Sequence, residues 1–252
     1  MIDLATFQNA LTHWRSCSIL KRLPGGYRNT AYLVECQGKL HVAKSTRRSP
    51  AALAWLNPVY DLAEAAGLRV PRLVPCTDGR LAVSGITVEK FLDGTPPTPS
   101  QLADLLPRLQ EFHTLAQALP QRPGFAASTQ LLHTIQGGDV DLSQMPPALV
   151  AHCRQQWQAW ADAPQSVVHG DVSLNNLLVT ESGQFGLVDW DEARVDLTLF
   201  DVLNGRAAQG EPLNDNEANL LLSWEIAVCW LVEPAHARRL AAEFWHKVAA
   251  DA

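Results

Sequence analysis

The sequence has no Lys/Arg run longer than a pair such as Arg47-Arg48 or Arg238-Arg239, and over 252 residues 20 Lys+Arg face 26 Asp+Glu, a formal charge of -6. Neutralising phosphate backbones needs a basic face, so a nucleic-acid partner is excluded. No apolar run is long enough to cross a bilayer: the greasiest stretch, Leu220 to Val232, is interrupted by Ser223 and Glu225, whereas a spanning helix takes about 20 apolar residues. A membrane partner is not expected. The start, Met1-Ile2-Asp3, lacks the basic opening and apolar core of a signal peptide, which leads us to expect a cytoplasmic location. The five cysteines (Cys17, Cys36, Cys76, Cys153, Cys229) are odd in number, scattered and never in a CxxC. They signal neither a disulfide framework nor a zinc knuckle, and five free thiols are expected. Repeats and low-complexity tracts are missing too, and nothing bears on oligomeric state.

What is present is the material of a globular core, with 47% hydrophobic and 18% charged residues in a length that suits one large domain or two small lobes. The first third reads as strand-rich. After an opening helix from Leu4 to Trp14, short β-type runs fall at Ser18 to Leu23, Ala31 to Glu35 and Leu40 to Ser45, divided by Pro24-Gly25-Gly26 and Gln37-Gly38. A helical stretch, Pro50 to Ala66, follows, with a break marked at Asn57-Pro58, and then a strand from Val83 to Val88. These predict an N-terminal lobe over residues 1–88, a connector over 89–97 and a helical C-terminal lobe over 98–252. In the last of these, Ser100 to Ala118 should be kinked or split at Pro107, and further helices are predicted for Pro147 to Trp160, Glu217 to Val232 and Pro234 to Ala250. Between them, apolar runs at Val167-Val168, Leu177 to Val179 and Phe185 to Val188 flank a polar loop.

That loop, His169-Gly170-Asp171-Val172-Ser173-Leu174-Asn175-Asn176, and the Val188-Asp189-Trp190-Asp191 that follows a predicted hairpin form the most specific segment. Asp and Asn favour solvated turns on their own account. If the hairpin closes, though, Asp171, Asn176 and Asp189 converge, offering oxygen ligands for Mg²⁺ and one carboxylate to accept a proton from an attacking hydroxyl. Asp191 could coordinate a second ion, cap the following turn or face a cationic substrate. From His169 to Asp201 seven acids stand against one base, Arg194, a local negative field that would draw an amine-bearing alcohol.

The HGDxxxxN pattern followed by a strand and DxD resembles the catalytic and metal-binding motifs of aminoglycoside phosphotransferases and choline kinases, and the resemblance runs over nearly the whole chain. It implies an α+β, two-lobed protein-kinase-like fold and phosphoryl transfer from ATP, with Mg²⁺, to a hydroxyl of a small molecule. Carried over residue by residue, Asp171 would be the catalytic base, Asn176 and Asp189 (with Asp191) the metal ligands and Lys44 of His41-Val42-Ala43-Lys44 the anchor for the α- and β-phosphates. Val88-Glu89-Lys90-Phe91 would be the hinge, with Glu89 and Phe91 beside adenine. Leu109 to His113 is similar to the family's Leu-x-x-Leu-His helix, and Asp201 would support the catalytic loop from beneath.

Two places depart from the family pattern. The stretch Ala51-Ala52-Leu53-Ala54-Trp55-Leu56 lacks the early Glu that pairs with the lysine, Glu64 standing a turn or more too late, and Pro24-Gly25-Gly26-Tyr27-Arg28-Asn29 is not a GxGxxG. The first leaves open a non-catalytic, kinase-like nucleotide-binding or regulatory module. Asp215, Glu217 and Glu225 are candidates for the acceptor, although Asn214-Asp215-Asn216-Glu217 also reads as a helix cap. Two readings thus enter the structure: an enzyme with a small-molecule hydroxyl substrate, and a binding module.

Overall fold

The computed structural model describes residues 2–24 and 28–250, so Gly25, Gly26 and Tyr27 of the expected nucleotide loop lie outside the described residues. The chain divides into two compact units, Met1–Thr95 with Leu178–Val188, and Pro96–Leu177 with Asp189–Ala252. The division falls inside the expected connector, and the segment 178–188 goes with the first unit.

The first unit opens with helix α1 (Leu4–Leu11), capped by Asp3, whose carboxylate accepts from Thr6 N at 2.8 Å. Strands β1 (Cys17–Arg22), β2 (Ala31–Cys36) and β3 (Lys39–Ser45) form an antiparallel meander, as their turn signals predict. The β1/β2 register sets Cys17 opposite Cys36, and the two are joined as a disulfide. This corrects the expectation of five free thiols: the two cysteines are 19 residues apart in sequence, but the hairpin makes them direct cross-strand neighbours with Cα atoms 4.1 Å apart. Cys76, Cys153 and Cys229 are free and buried.

The helical stretch after β3 is two helices, α2 (Pro50–Ala54) and α3 (Leu56–Ala65). The break comes at Trp55 instead of Asn57-Pro58, since Pro58 sits in the first turn of α3, where its missing N–H costs no intrahelical bond. The strand expected over Val83 to Val88 is a tight hairpin of β4 (Ala82–Val83) and β5 (Ile86–Lys90), turned at Ser84 (φ 49°) and Gly85 (φ 73°). The sheet order is β1-β2-β3-β5-β4. Beyond β4, the edge of β5 is taken by residues 72–74, with Val74 N on Val88 O and Lys90 N on Arg72 O. Phe7, Leu11, Trp14, Val34, Ala43, Ile86 and Val88 are the buried core here.

In the second unit the predicted helix over Ser100 to Ala118 is split into α4 (Pro99–Leu102) and α5 (Leu105–Ala116), with Pro107 in the first turn of α5. A small hairpin, β6 (Gln136–Gly137) and β7 (Val140–Asp141), precedes α6 (Pro147–Gln158) and β8 (Gln165–Val168). The loop after β8 leads into the hairpin β9 (Leu177–Val179) and β10 (Phe185–Leu187), and β11 (Arg194–Leu197) returns antiparallel to β8. Helices α7 (Leu199–Ala208), α8 (Asp215–Val232) and α9 (Pro234–Ala250) close the chain. The β9/β10 hairpin belongs with the first unit because Arg69 bridges Phe185 and Leu187 by backbone bonds of 2.7 and 2.9 Å, and Thr95 exchanges two with Val179. Trp157, Leu197, Phe200, Trp224 and Cys229 are buried in the core of the second unit. No described helix is long and apolar enough to cross a membrane.

Candidate active site

Asp201, on the first turn of α7 and completely buried, organises the loop that carries the motif. Its Oδ2 accepts from His169 N at 2.8 Å and from His113 Nε2 at 3.0 Å, and its Oδ1 accepts from Gly170 N at 2.8 Å. Burial alone would raise this carboxyl, but the hydrogen bonds and the facing imidazoles outweigh it and hold the group below its ordinary value. The sequence expectation of Asp201 beneath the loop and His113 on its helix is met by this contact. His169, also fully buried, lies edge-on to Trp190 with centroids 4.8 Å apart, and its Nδ1 accepts from Asp171 N at 3.3 Å. It packs and positions.

Gly170 must be glycine on two counts. Its φ is +88°, and a Cβ there would stand 2.7 Å from Arg194 Nη1 and 3.0 Å from Glu192 O. Arg194 cannot yield easily: it is buried, its Nε donates to Asp196 Oδ2 at 2.7 Å, and its guanidinium lies 3.6 Å from the centroid of Trp224.

With the loop so fixed, Asp171 and Asn176 meet. Asn176 Nδ2 donates to Asp171 Oδ2 at 2.8 Å and to Asp171 O at 3.0 Å, closing the loop on itself. Partial burial pushes the Asp171 carboxyl above its ordinary value. The charges of Asp189 and Glu225 push the same way, while the His169 ring and the Asn176 amide oppose them. Asp189 stands within electrostatic reach of Asp171 and adopts a left-handed conformation (φ 64°, ψ 60°), which among residues with a side chain Asp and Asn tolerate best. The structure therefore brings Asp171, Asn176 and Asp189 together in the second unit. Asp191 follows in the 3-10 turn Trp190–Glu192.

That turn is held from behind by a residue the sequence did not single out. Arg122, buried and stacked 4.5 Å from the Phe125 centroid, points Nη1 at the carbonyls of Trp190, Asp191 and Ala193 at 3.2, 2.9 and 3.0 Å. No local pattern marks an arginine whose partners lie about seventy positions away; only the surplus of carbonyls around a left-handed residue hints at a donor.

The other expected residues lie in the first unit. Lys44 is on β3, paired across the sheet with Ala31 and Thr87. Glu89 lies inside the ladder opposite Val42 and bridged to Leu73, while Phe91 is the first residue past the end of β5 and is exposed. Glu64 is committed elsewhere: its two oxygens accept from Arg72 Nε at 3.0 Å and Nη2 at 2.6 Å, so it does not replace the early glutamate. Among the acceptor candidates, Glu217 forms a capping box with Asn214 and a 2.7 Å bond with Arg206, a structural use, and Asp215 opens α8. Glu225 alone bears on Asp171.

Residues 19–243 match the model of the phosphotransferase enzyme family. Among solved structures the chain is similar to the aminoglycoside phosphotransferase APH(4)-Ia, at 14% identity over 95% of this chain and 95% of that one, with a TM-score of 0.60. It is similar to choline kinase LicA from Streptococcus pneumoniae, at 14% identity over 90% and 87% of the two chains, with a TM-score of 0.56. It is also similar to the spectinomycin phosphotransferase APH(9)-Ia in complex with ADP and spectinomycin, at 14% identity over 95% and 89%, with a TM-score of 0.55. These likenesses give the α+β, protein-kinase-like fold, and the family match, reaching from β1 to α9, gives the class of chemistry. The chain belongs to the phosphotransferase enzyme family and is a small-molecule phosphotransferase with a hydroxyl group as acceptor.

Proposed function

We propose that the phosphoryl donor is ATP used with Mg²⁺, and that the γ-phosphoryl group passes to a hydroxyl of a small alcohol, cationic ones included, of the choline, thiamine, amino sugar or aminoglycoside type. The observation that carries this reading is the way Asp171 and Asn176 share their polar atoms. Asn176 spends its Nδ2 on Asp171 Oδ2, which leaves Asn176 Oδ1 and Asp171 Oδ1 for ligands. Asn176 Oδ1 and the Asp189 carboxylate, with Asp191 two residues on, form an oxygen-only donor set, the kind a hard cation takes, so the residues present fit Mg²⁺. When bound, Mg²⁺ would screen and orient the phosphate oxygens.

The chain's own residues would do the rest. Asp171 Oδ1 orients the acceptor hydroxyl and accepts its proton as the oxygen attacks phosphorus, and Asn176 keeps the carboxylate in one rotamer while it does so. Lys44 neutralises the α- and β-phosphates, and backbone groups near Glu89 and Phe91 meet adenine. The acceptor class follows from charge. Arg194 is consumed by Asp196, and Asp196 and Asp201 are buried and satisfied. Asp171, Asp189, Asp191 and Glu192, with the buried Arg122 guanidinium behind the turn offsetting only one of the four charges, then sum to a negative field that favours an ammonium-bearing alcohol. The test is ADP release from Mg·ATP over choline, thiamine, homoserine, amino sugars and aminoglycosides. Release that depends on one amine-bearing compound is expected; release stimulated only by neutral alcohols would overturn the acceptor class.

A further inference from the structure

At the corner between α8 and α9, reaching the phosphotransfer site only through the charge of Glu225 on Asp171, side chains of a different chemistry gather. Glu225 and Cys229 stand at i and i+4 on α8 and share one face. Glu233 ends the helix one turn further on, and Pro234 starts α9 at once, so His236 in its first turn folds back onto that face. Cys229 Sγ is 3.2 Å from Glu225 Oε1 and 4.0 Å from Glu233 Oε1, and His236 Nε2 is 3.3 Å from Glu225 Oε1. One ligand atom from each of Glu225, Cys229 and His236 lies within 4.8 Å of the others. Ligands bound tetrahedrally at about 2.0–2.3 Å stand roughly 3.3–3.8 Å from one another, so the Glu225–Cys229 and Glu225–His236 pairs already stand near such edges, and Cys229 and His236 need only a small approach. The thiol is fully buried, while the side chains of His236 and Glu225 are 36% and 45% exposed, which gives a cation a path in from solvent.

The donor set decides the class of ion. One sulfur, one imidazole nitrogen and carboxylate oxygen suit a borderline cation and not a hard one, and so differ in kind from the oxygen-only set at Asp189. We propose that Glu225, Cys229 and His236 bind a divalent cation of the zinc class, with solvent completing the coordination, and pin the start of α9 to the end of α8. Binding exchanges the thiol proton for a metal–sulfur bond and releases it to solvent; the ring proton moves from Nε2 to Nδ1, and the metal takes Nε2. Arg239, whose Nη2 is 3.1 Å from His236 Nδ1, then withdraws along its existing contact with Glu243 at 2.7 Å. The metal is read directly, so the test holds whichever acceptor or phosphoryl donor the enzyme uses.

Co²⁺ titrated into the chelator-stripped full chain tests this directly. One equivalent should bind with a thiolate-to-cobalt charge-transfer band in the near ultraviolet and tetrahedral bands in the visible, displaced by Zn²⁺ and unaffected by Mg²⁺. The thiolate band should vanish in Cys229→Ser and persist in Cys76→Ser. In His236→Ala, a half-exposed position whose loss leaves the fold intact, affinity should drop about tenfold or more, and Zn²⁺ should no longer raise the thermal midpoint as it does for the unaltered chain. Absence of a thiolate band at excess Co²⁺, or a band unchanged in Cys229→Ser or His236→Ala, would overturn the proposal and leave the cluster a hydrogen-bonded trio.

Discussion

Asp201→Asn changes one atom and no volume, yet its cost can be worked from three distances. Three donors point at the two oxygens: His169 N and His113 Nε2 at Oδ2, and Gly170 N at Oδ1. An amide has one acceptor oxygen, so whichever way the introduced side chain is flipped at least one buried backbone N–H faces an NH₂ group. His113 can change tautomer to accept from that group, but His169 N and Gly170 N cannot. One unsatisfied buried donor costs about 1–3 kcal/mol, and the surviving bonds fall from charge-assisted to neutral strength, about 1 kcal/mol each. The sum is roughly 3–5 kcal/mol, to be read in urea unfolding at neutral pH by the fluorescence of Trp157, Trp190 and Trp224, all buried in this unit. The pH dependence adds a second check. Asp201 is held below its ordinary value in the folded state, so its contribution is complete above the unfolded carboxylate value of about 3.9 and is lost as pH falls toward the depressed folded one. The gap between the two proteins should therefore narrow in acid. A loss under about 1 kcal/mol, or a gap that stays constant as the pH falls below about 4, would refute the reasoning.

Three further perturbations follow from the same geometry. Gly170→Ala forces a left-handed alanine against Arg194 and Glu192 O and should cost about 2–4 kcal/mol in denaturant unfolding and most of the turnover; an unchanged midpoint would contradict the close packing. Arg122→Lys cannot hold three carbonyls with a planar fork, so the turn behind Asp189 loosens, and the Mg²⁺ concentration for half-maximal activity should rise about tenfold; an unchanged Mg²⁺ requirement would remove Arg122 from that role. Asp171 must be ionised to take a proton, and its carboxyl is held up by burial, Asp189 and Glu225. The acid limb of kcat/KM should therefore lie above the ordinary carboxylate range and move to lower pH in Glu225→Gln, whereas an upward shift would reverse the assigned sign.

The parts legible in the sequence were those whose causes are local. The meander of β1 to β3 is written in its turn residues, the split near Pro107 in a missing N–H, and the closure of the His169–Asn176 loop in the five-residue spacing of Asp171 and Asn176, which bond each other within it. Reading failed where the cause is long-range. Cys17 and Cys36 are unremarkable until a register makes them opposite. The turn at Ser84-Gly85 does carry a Ser-Gly signal, but it is a single dipeptide set between strand formers on both sides, so the segment also reads as one strand. The attachment of 178–188 to the first unit rests on backbone bonds to Arg69 and Thr95, and Arg122 finds its carbonyls across 68 to 71 positions. Neither leaves a trace in spacing or composition.

The central claim is that Asp171 takes the proton of the acceptor hydroxyl while other residues hold the nucleotide. Its most direct measurement is the turnover of Asp171→Asn on an established acceptor, alongside nucleotide affinity measured separately. The account predicts kcat lower by about 10²–10⁴ with the Mg·ATP dissociation constant within a few-fold of the unaltered protein. Turnover within tenfold of the unaltered protein, or a loss explained wholly by weakened nucleotide binding, would contradict it.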